Sequence, residues 1–96
     1  PEELIGAAHA GCFSMALAMM LGQHGMTAQR IETQAAVTLD KVGDGFVITA
    51  SHLTVVATIP GADQAKFMEV ANQAKAGCPV SKLMNAAISM DARLQA

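Results

Sequence analysis

Two cysteines, Cys12 and Cys78, are the residues of this chain whose type points to chemistry, and they stand 66 positions apart. Cys78 precedes Pro79, and proline favours the first position of a helix, so Cys78 is expected just ahead of a helix N-terminus. The free amides and the dipole there favour a thiolate, the nucleophilic form of cysteine. The alternative for Cys78 is a small buried residue before a proline. Cys12 falls about three turns inside an apolar segment, too far from a helix end for the dipole to reach. It needs another cation to ionise, and otherwise reads as an inert cysteine among alanines and methionines. Its neighbours Ala7, Ala8, Ala10, Gly11 and Ala16 are small, which permits close approach of a substrate or a second backbone.

His9 lies three residues before Cys12 on the same helix face and could supply half of a metal site. No Cys-x-x-Cys or further spaced histidine completes one, so no metal or cofactor is expected and His9 reads as a packed or interfacial side chain. His24 and His52 fall at a helix end and on the polar face of a strand, with no role assigned. Glu2 reads as a solvated first-turn acid. Met15, Met19 and Met20 could wall the space around Cys12, but read first as core.

The elements that must position these residues follow from periodicity. Pro1, Glu2 and Glu3 mark a helix start, and the helix is expected to run to about Gln23, with Gly25 able to close it in the left-handed conformation. Apolar residues surround this helix on nearly every side, which places it centrally rather than on a surface. From Gln34 the period becomes two, with Ala35, Val37 and Leu39 opposite Gln34, Thr38 and Asp40. Gly43-Asp44-Gly45 signals a turn, and Phe46 to Ile59 resumes the alternation with Leu53, Val55, Ala57 and Ile59 inward, giving an antiparallel hairpin. After Pro60-Gly61, Phe67, Val70, Ala71 and Ala74 recur at helical spacing up to Gly77. A short helix from Cys78-Pro79 to about Asn85 follows. Ile88, Met90, Ala92 and Leu94 then alternate with Ser89, Asp91, Arg93 and Gln95 as a third strand on the hairpin. The fold class is α+β, with one domain and a small antiparallel sheet of about three strands.

Composition narrows the function. The 96 residues are 52% hydrophobic and 15% charged, more apolar than a small solitary domain needs, which points to a partner subunit. A net charge of −2 and three phenylalanines as the only aromatics give neither a phosphate-neutralising patch nor a stacking platform, so no nucleic acid is expected. The apolar run Leu4 to Leu21 is barely long enough for a membrane span, is diluted by His9, Ser14, glycines and alanines, and lacks basic flanks. It reads as a core helix, with no membrane partner. No basic n-region marks a secretory signal, and two distant cysteines do not make the framework of a secreted mini-domain, so the expected location is the cytoplasm.

The stretch Pro1-Glu2-Glu3-Leu4-Ile5-Gly6-Ala7-Ala8-His9-Ala10-Gly11-Cys12-Phe13-Ser14-Met15-Ala16-Leu17, followed by Cys78-Pro79-Val80-Ser81-Lys82, closely resembles the OsmC/Ohr family of bacterial peroxidases. The likeness covers essentially the whole chain, and Ala-His-Ala-Gly-Cys resembles the OsmC branch more than the organic hydroperoxide resistance branch. The resemblance implies an OsmC-like domain over residues 1–96, forming the C-terminal two-thirds of a longer domain, and an intertwined homodimer with the active sites at its interface. It implies a thiol-dependent peroxidase that reduces organic hydroperoxides to alcohols, with hydrogen peroxide as a further oxidant. Cys12 matches the peroxidatic cysteine and Cys78 the resolving one, joined in turnover by a disulfide that a dithiol reduces. Glu2 matches a glutamate that orients an activating arginine. That arginine belongs to an N-terminal β region this chain does not contain, and Arg30 and Arg93 do not match it. The alternative function is a non-catalytic thiol redox sensor or dimerisation module.

Overall fold

Helix α1 (Glu2–Gln23) begins as its first residues dictate: the Pro1 carbonyl accepts the Ile5 N–H at 3.0 Å, and Glu2 and Glu3 occupy the positive dipole end. Gly25, at φ 75°, takes the left-handed conformation after the last turn. The computed structural model describes residues 1–95. Strands β1 (Arg30–Val42) and β2 (Gly45–Thr58) form the hairpin, turning at Gly43 with φ 61°. Then come α2 (Gln64–Gly77), started by an Asp63 carboxylate that accepts the Lys66 N–H at 3.1 Å, the short α3 (Pro79–Leu83), and β3 (Ala87–Gln95).

The sheet order is β1-β2-β3, with β2 in the middle. The hairpin is antiparallel from Arg30↔Thr58 to Val42↔Gly45, with an irregularity between Thr38 and Leu39. Pairing begins at Arg30, four residues before the alternation becomes visible in sequence, and α3 stops two residues short of Asn85. The α+β class is as expected, but the sheet is mixed rather than antiparallel. β3 runs parallel to β2, in register from Ala50↔Ala87 to Thr58↔Gln95. The reason is the connection: α2 and α3 carry the chain back along the sheet before β3 begins, as a crossover between parallel strands must.

The core lies between one sheet face and the helices. Leu53, Val55, Ala57 and Ile59 of the β2 segment meet Phe13, Leu17 and Leu21 of α1 and Phe67, Val70, Ala71 and Ala74 of α2. The Gln34, Thr54 and Asp91 side of the sheet is exposed.

α1 is not central in the isolated chain. It buries one stripe, Gly6, His9, Phe13, Leu17 and Leu21, at helical spacing. The far side is open, with Leu4 76%, Met15 75% and Met19 59% exposed, so Met15 and Met19 are not core residues. A two-layer fold covers only one side of an outer helix, however apolar the other side is. By length and mean hydropathy, 1.7, this helix also qualifies as a membrane span. Its buried stripe, however, carries a histidine bonded to serines of other elements, as a protein core does.

Gly6 sets how closely α1 approaches the sheet, because a Cβ there would stand 3.1 Å from the Ala35 backbone oxygen. Replacing glycine by alanine in a helix gains up to about 1 kcal/mol of propensity, whereas crowding a packed contact costs about 1–3 kcal/mol. Gly6→Ala is therefore expected to lower stability by about 1–2 kcal/mol in urea unfolding. Gly22→Ala, where an added methyl meets nothing within 4 Å, should raise it by up to about 1 kcal/mol. Equal effects at the two positions would refute the close-approach account.

Candidate active site

Cys78 is held from both sides by backbone. Its N–H closes α2 on the Ala74 carbonyl at 2.9 Å, and its own carbonyl accepts the Lys82 N–H at 3.1 Å to open α3. Its ψ of 128° is the extended setting that the following proline demands. The side chain is fully buried. Cys12 projects from the third turn of α1, half-buried beside the core. The fold brings the two sulfurs to 2.8 Å, both as free thiols, with the Cys78 S–H donating to Cys12 Sγ. A shift of less than about 1 Å separates this contact from a disulfide bond.

The two thiols ionise unequally. Burial pushes Cys12 up, the contact with Cys78 pushes it further, and the Val80 N–H offsets only part of this. For Cys78 burial also acts upward, but hydrogen bonding outweighs it. The Cys12 thiol, the Ser81 and Val80 amides and the Ser81 hydroxyl all favour the thiolate, and Cys78 lies below the ordinary thiol value. The first negative charge on the pair therefore falls on Cys78. No basic side chain acts on Cys12 among the described residues. Arg30 is paired with Glu32 and 73% exposed, and Arg93 stands on the outer sheet face beside Asp91.

Glu2 does not join the cysteines. It lies at the start of α1, ten residues and ~15 Å along the helix from Cys12. Its own backbone amide holds its carboxyl below the usual value. His24 caps the end of α1. His52 bridges Ser89, at 2.7 Å, and Asp91, at 3.2 Å, on the exposed face of the sheet. A separate open groove of about 400 Å³ is lined by neither cysteine. Ile5, Ala8, Val47, Ile48 and Leu83 line it, and it shares Val80 with the cysteine site. Its walls are mainly apolar and come from α1, β2, α3 and the turn after it, with Met84 among them rather than Met15, Met19 or Met20.

Sequence reasoning missed the surroundings of His9. The ring is fully buried, with Nδ1 2.8 Å from Ser51 Oγ on β2 and Nε2 2.7 Å from Ser81 Oγ on α3. The available signal was Ser51, a polar residue in the inward series that continues through Leu53, Val55 and Ala57. No cluster of metal-ligating side chains forms among the described residues.

Burial lowers the His9 pKa from the ordinary 6.5, so the fold takes the ring neutral. The stability this contributes is complete above the unfolded value, about 6.5, and is lost as pH falls through the lower folded value. The urea midpoint should accordingly drop between about pH 7.5 and 5, less steeply in His9→Gln. Parallel profiles for the two proteins would contradict a neutral buried ring.

Comparison with known proteins places this arrangement. Residues 1–93 match the family of OsmC-like proteins. The chain is 53% identical over 95 residues to Peroxiredoxin OsmC of Escherichia coli, covering 99% of this chain and 66% of that protein. It is 31% identical over 84 residues to Organic hydroperoxide resistance protein-like 2 of Staphylococcus epidermidis, covering 85% of this chain and 57% of that one. The crystal structure of the organic hydroperoxide resistance protein OhrB of Bacillus subtilis superposes with a TM-score of 0.76 at 28% identity, covering 97% of this chain and 69% of that chain. The chain thus spans 57–66% of the length of these two curated relatives. On these grounds, and with the higher identity on the OsmC side, the chain belongs to the OsmC-like protein family.

Proposed function

We propose that this chain carries the redox centre of a cysteine-based hydroperoxide reductase. The observation that carries this reading is the 2.8 Å contact between Cys12 and Cys78, with an apolar groove that shares Val80 with the pair. The likeness to a protein named as a peroxiredoxin supports it. Cys12 thiolate attacks one oxygen of the peroxide bond, giving Cys12 sulfenic acid and an alkoxide that leaves as the alcohol after protonation. Cys78 thiolate then attacks the sulfenic sulfur, the S–O bond breaks, and hydroxide leaves as water while the disulfide forms. A dithiol returns both cysteines to thiols by exchange. Organic hydroperoxides suit the groove, because their alkyl groups can lie on Ile5, Val47, Ile48 and Leu83. Hydrogen peroxide would use the same sulfur without that contact.

The first step needs the charge on Cys12, whereas the pair as it stands favours Cys78. A cation beside Cys12 would reverse this, and the resemblance assigns that task to an arginine outside this chain, oriented by Glu2. The lack of such a cation among the described residues favours, as a second reading, a non-catalytic thiol redox sensor or dimerisation module. Either reading suits the cytoplasm, where thiols stay reduced.

Peroxide consumption with dithiothreitol separates the two readings. Cys12→Ser should lose on the order of 100-fold or more in rate, as enzymes do when their nucleophile is removed. Equal rates with and without Cys12 would end the peroxidase reading.

We further propose a homodimer in which a second copy covers the outer face of α1. Leu4, Met15 and Met19, with Leu83 at 81% exposure, form an apolar surface that a solitary soluble domain does not present without a reason. Light scattering at micromolar concentration should give twice the chain mass, and Met15→Lys with Met19→Lys should shift it toward the single chain. A parent protein that is monomeric at that concentration would count against the dimer.

A further inference from the structure

His9 and Cys78 are the two titratable side chains with no exposed surface among the described residues, and one serine stands between them. Ser81 Oγ is 2.7 Å from His9 Nε2, and Ser81 stands three residues after Cys78, in the first turn of α3. Ser51 Oγ holds the other ring nitrogen at 2.8 Å. A neutral imidazole has one N–H and one lone pair, so the two serines cannot play the same part toward it. A serine hydroxyl has a single hydrogen. When Ser81 donates it to Cys78, its oxygen must accept from His9 Nε2–H, and Nδ1 is then left to accept from the Ser51 hydroxyl. With Ser81 donating to Cys78, Ser51, His9 and Ser81 would form a chain in which every hydrogen points toward the sulfur, and such chains strengthen each link.

We propose that His9 is a positioning residue for the resolving step: anchored by Ser51, it donates to Ser81 and so aims the Ser81 hydroxyl at Cys78, holding that sulfur as a thiolate directed at Cys12. This rests on the reading of the cysteines as a redox pair. In the step itself the Cys78–Cys12 S–S bond forms and the Cys12 S–O bond breaks. Cys78 sulfur is oxidised, the sulfenic sulfur is reduced, and the departing hydroxide takes up one proton from the solvent buffer to leave as water. The chain supplies hydrogen bonds and transfers no proton. The same donors stabilise Cys78 when a dithiol attacks Cys12 and Cys78 becomes the leaving thiolate. No carboxylate, ammonium or guanidinium is bonded to His9, Ser51, Ser81 or Cys78 among the described residues. The titratable group that reaches Cys78 from α1 is Cys12.

The test uses the full chain with Cys12→Ala, which leaves Cys78 as the sole thiol and requires no peroxide, and follows thiolate ultraviolet absorbance against pH. Ser81→Ala and His9→Leu should each raise the Cys78 midpoint by about one pH unit. His9→Gln, which keeps a side-chain N–H able to reach Ser81, should stay with the parent. An unmoved midpoint in Ser81→Ala, or a shift in His9→Leu that His9→Gln does not reverse, overturns the proposal. Because Cys12 is absent throughout, failure of the peroxidase reading would leave these midpoints readable, and failure here would leave peroxide turnover to be judged by its own assay.

Discussion

The seating of α1 on the sheet is the contact on which the rest of the site depends. One stripe of a helix that is apolar almost all round is selected as the inner face, and Gly6 lets its first turns come down against the Ala35 backbone. Phe13, Leu17 and Leu21 continue the stripe into the core. Once that seating is set, Cys12 is carried to the boundary of the core and His9 into it. The position of Cys12 is therefore a by-product of helix packing, with no loop required to deliver its sulfur. Cys78 comes from the opposite direction, clamped where α2 ends and α3 begins, so neither cysteine has slack.

That rigidity explains the electrostatics of the pair. Two sulfurs in contact inside a mostly apolar surround cannot both ionise, because like charges at that separation repel strongly in a poorly solvated site. The sulfur with more donors takes the charge, and Cys78 has the Ser81 and Val80 amides and the Ser81 hydroxyl. Cys12 is left dependent on whatever approaches from the open side of α1. The exposed outer residues and the thiol whose pKa is raised thus belong to the same helix.

Much of the fold was legible in the residues. Gly25 and Gly43 take the left-handed conformations that their contexts require, and the stripe Phe67, Val70, Ala71 and Ala74 is the buried face of α2. The alternation of Ile88, Met90, Ala92 and Leu94 correctly marked a strand but is blind to strand direction, since a period of two reads the same both ways. Direction is set by the α2–α3 crossover, which is a property of the connection and not of the strand. The exposure of Met15 and Met19 was hidden for a similar reason: a helix apolar on every side does not say which side its own chain will cover. In the site, Cys12 and Cys78 were found, their meeting was implied by family resemblance, and the serines gripping His9 went unseen because Ser51 and Ser81 become its neighbours only through long-range packing.

The parallel docking of β3 on the central strand also dictates an order of assembly. β2 can pair with β1 as soon as the hairpin is made, but its second edge stays open until the two helices and the last strand have been added, and parallel pairing of this kind is slow to form. Cys78 lies within that final crossover. During synthesis Cys12 emerges 66 positions ahead of its partner and waits through the interval in which the sheet is incomplete. In the nascent chain it is an unpartnered thiol, which the last third of the chain brings under control.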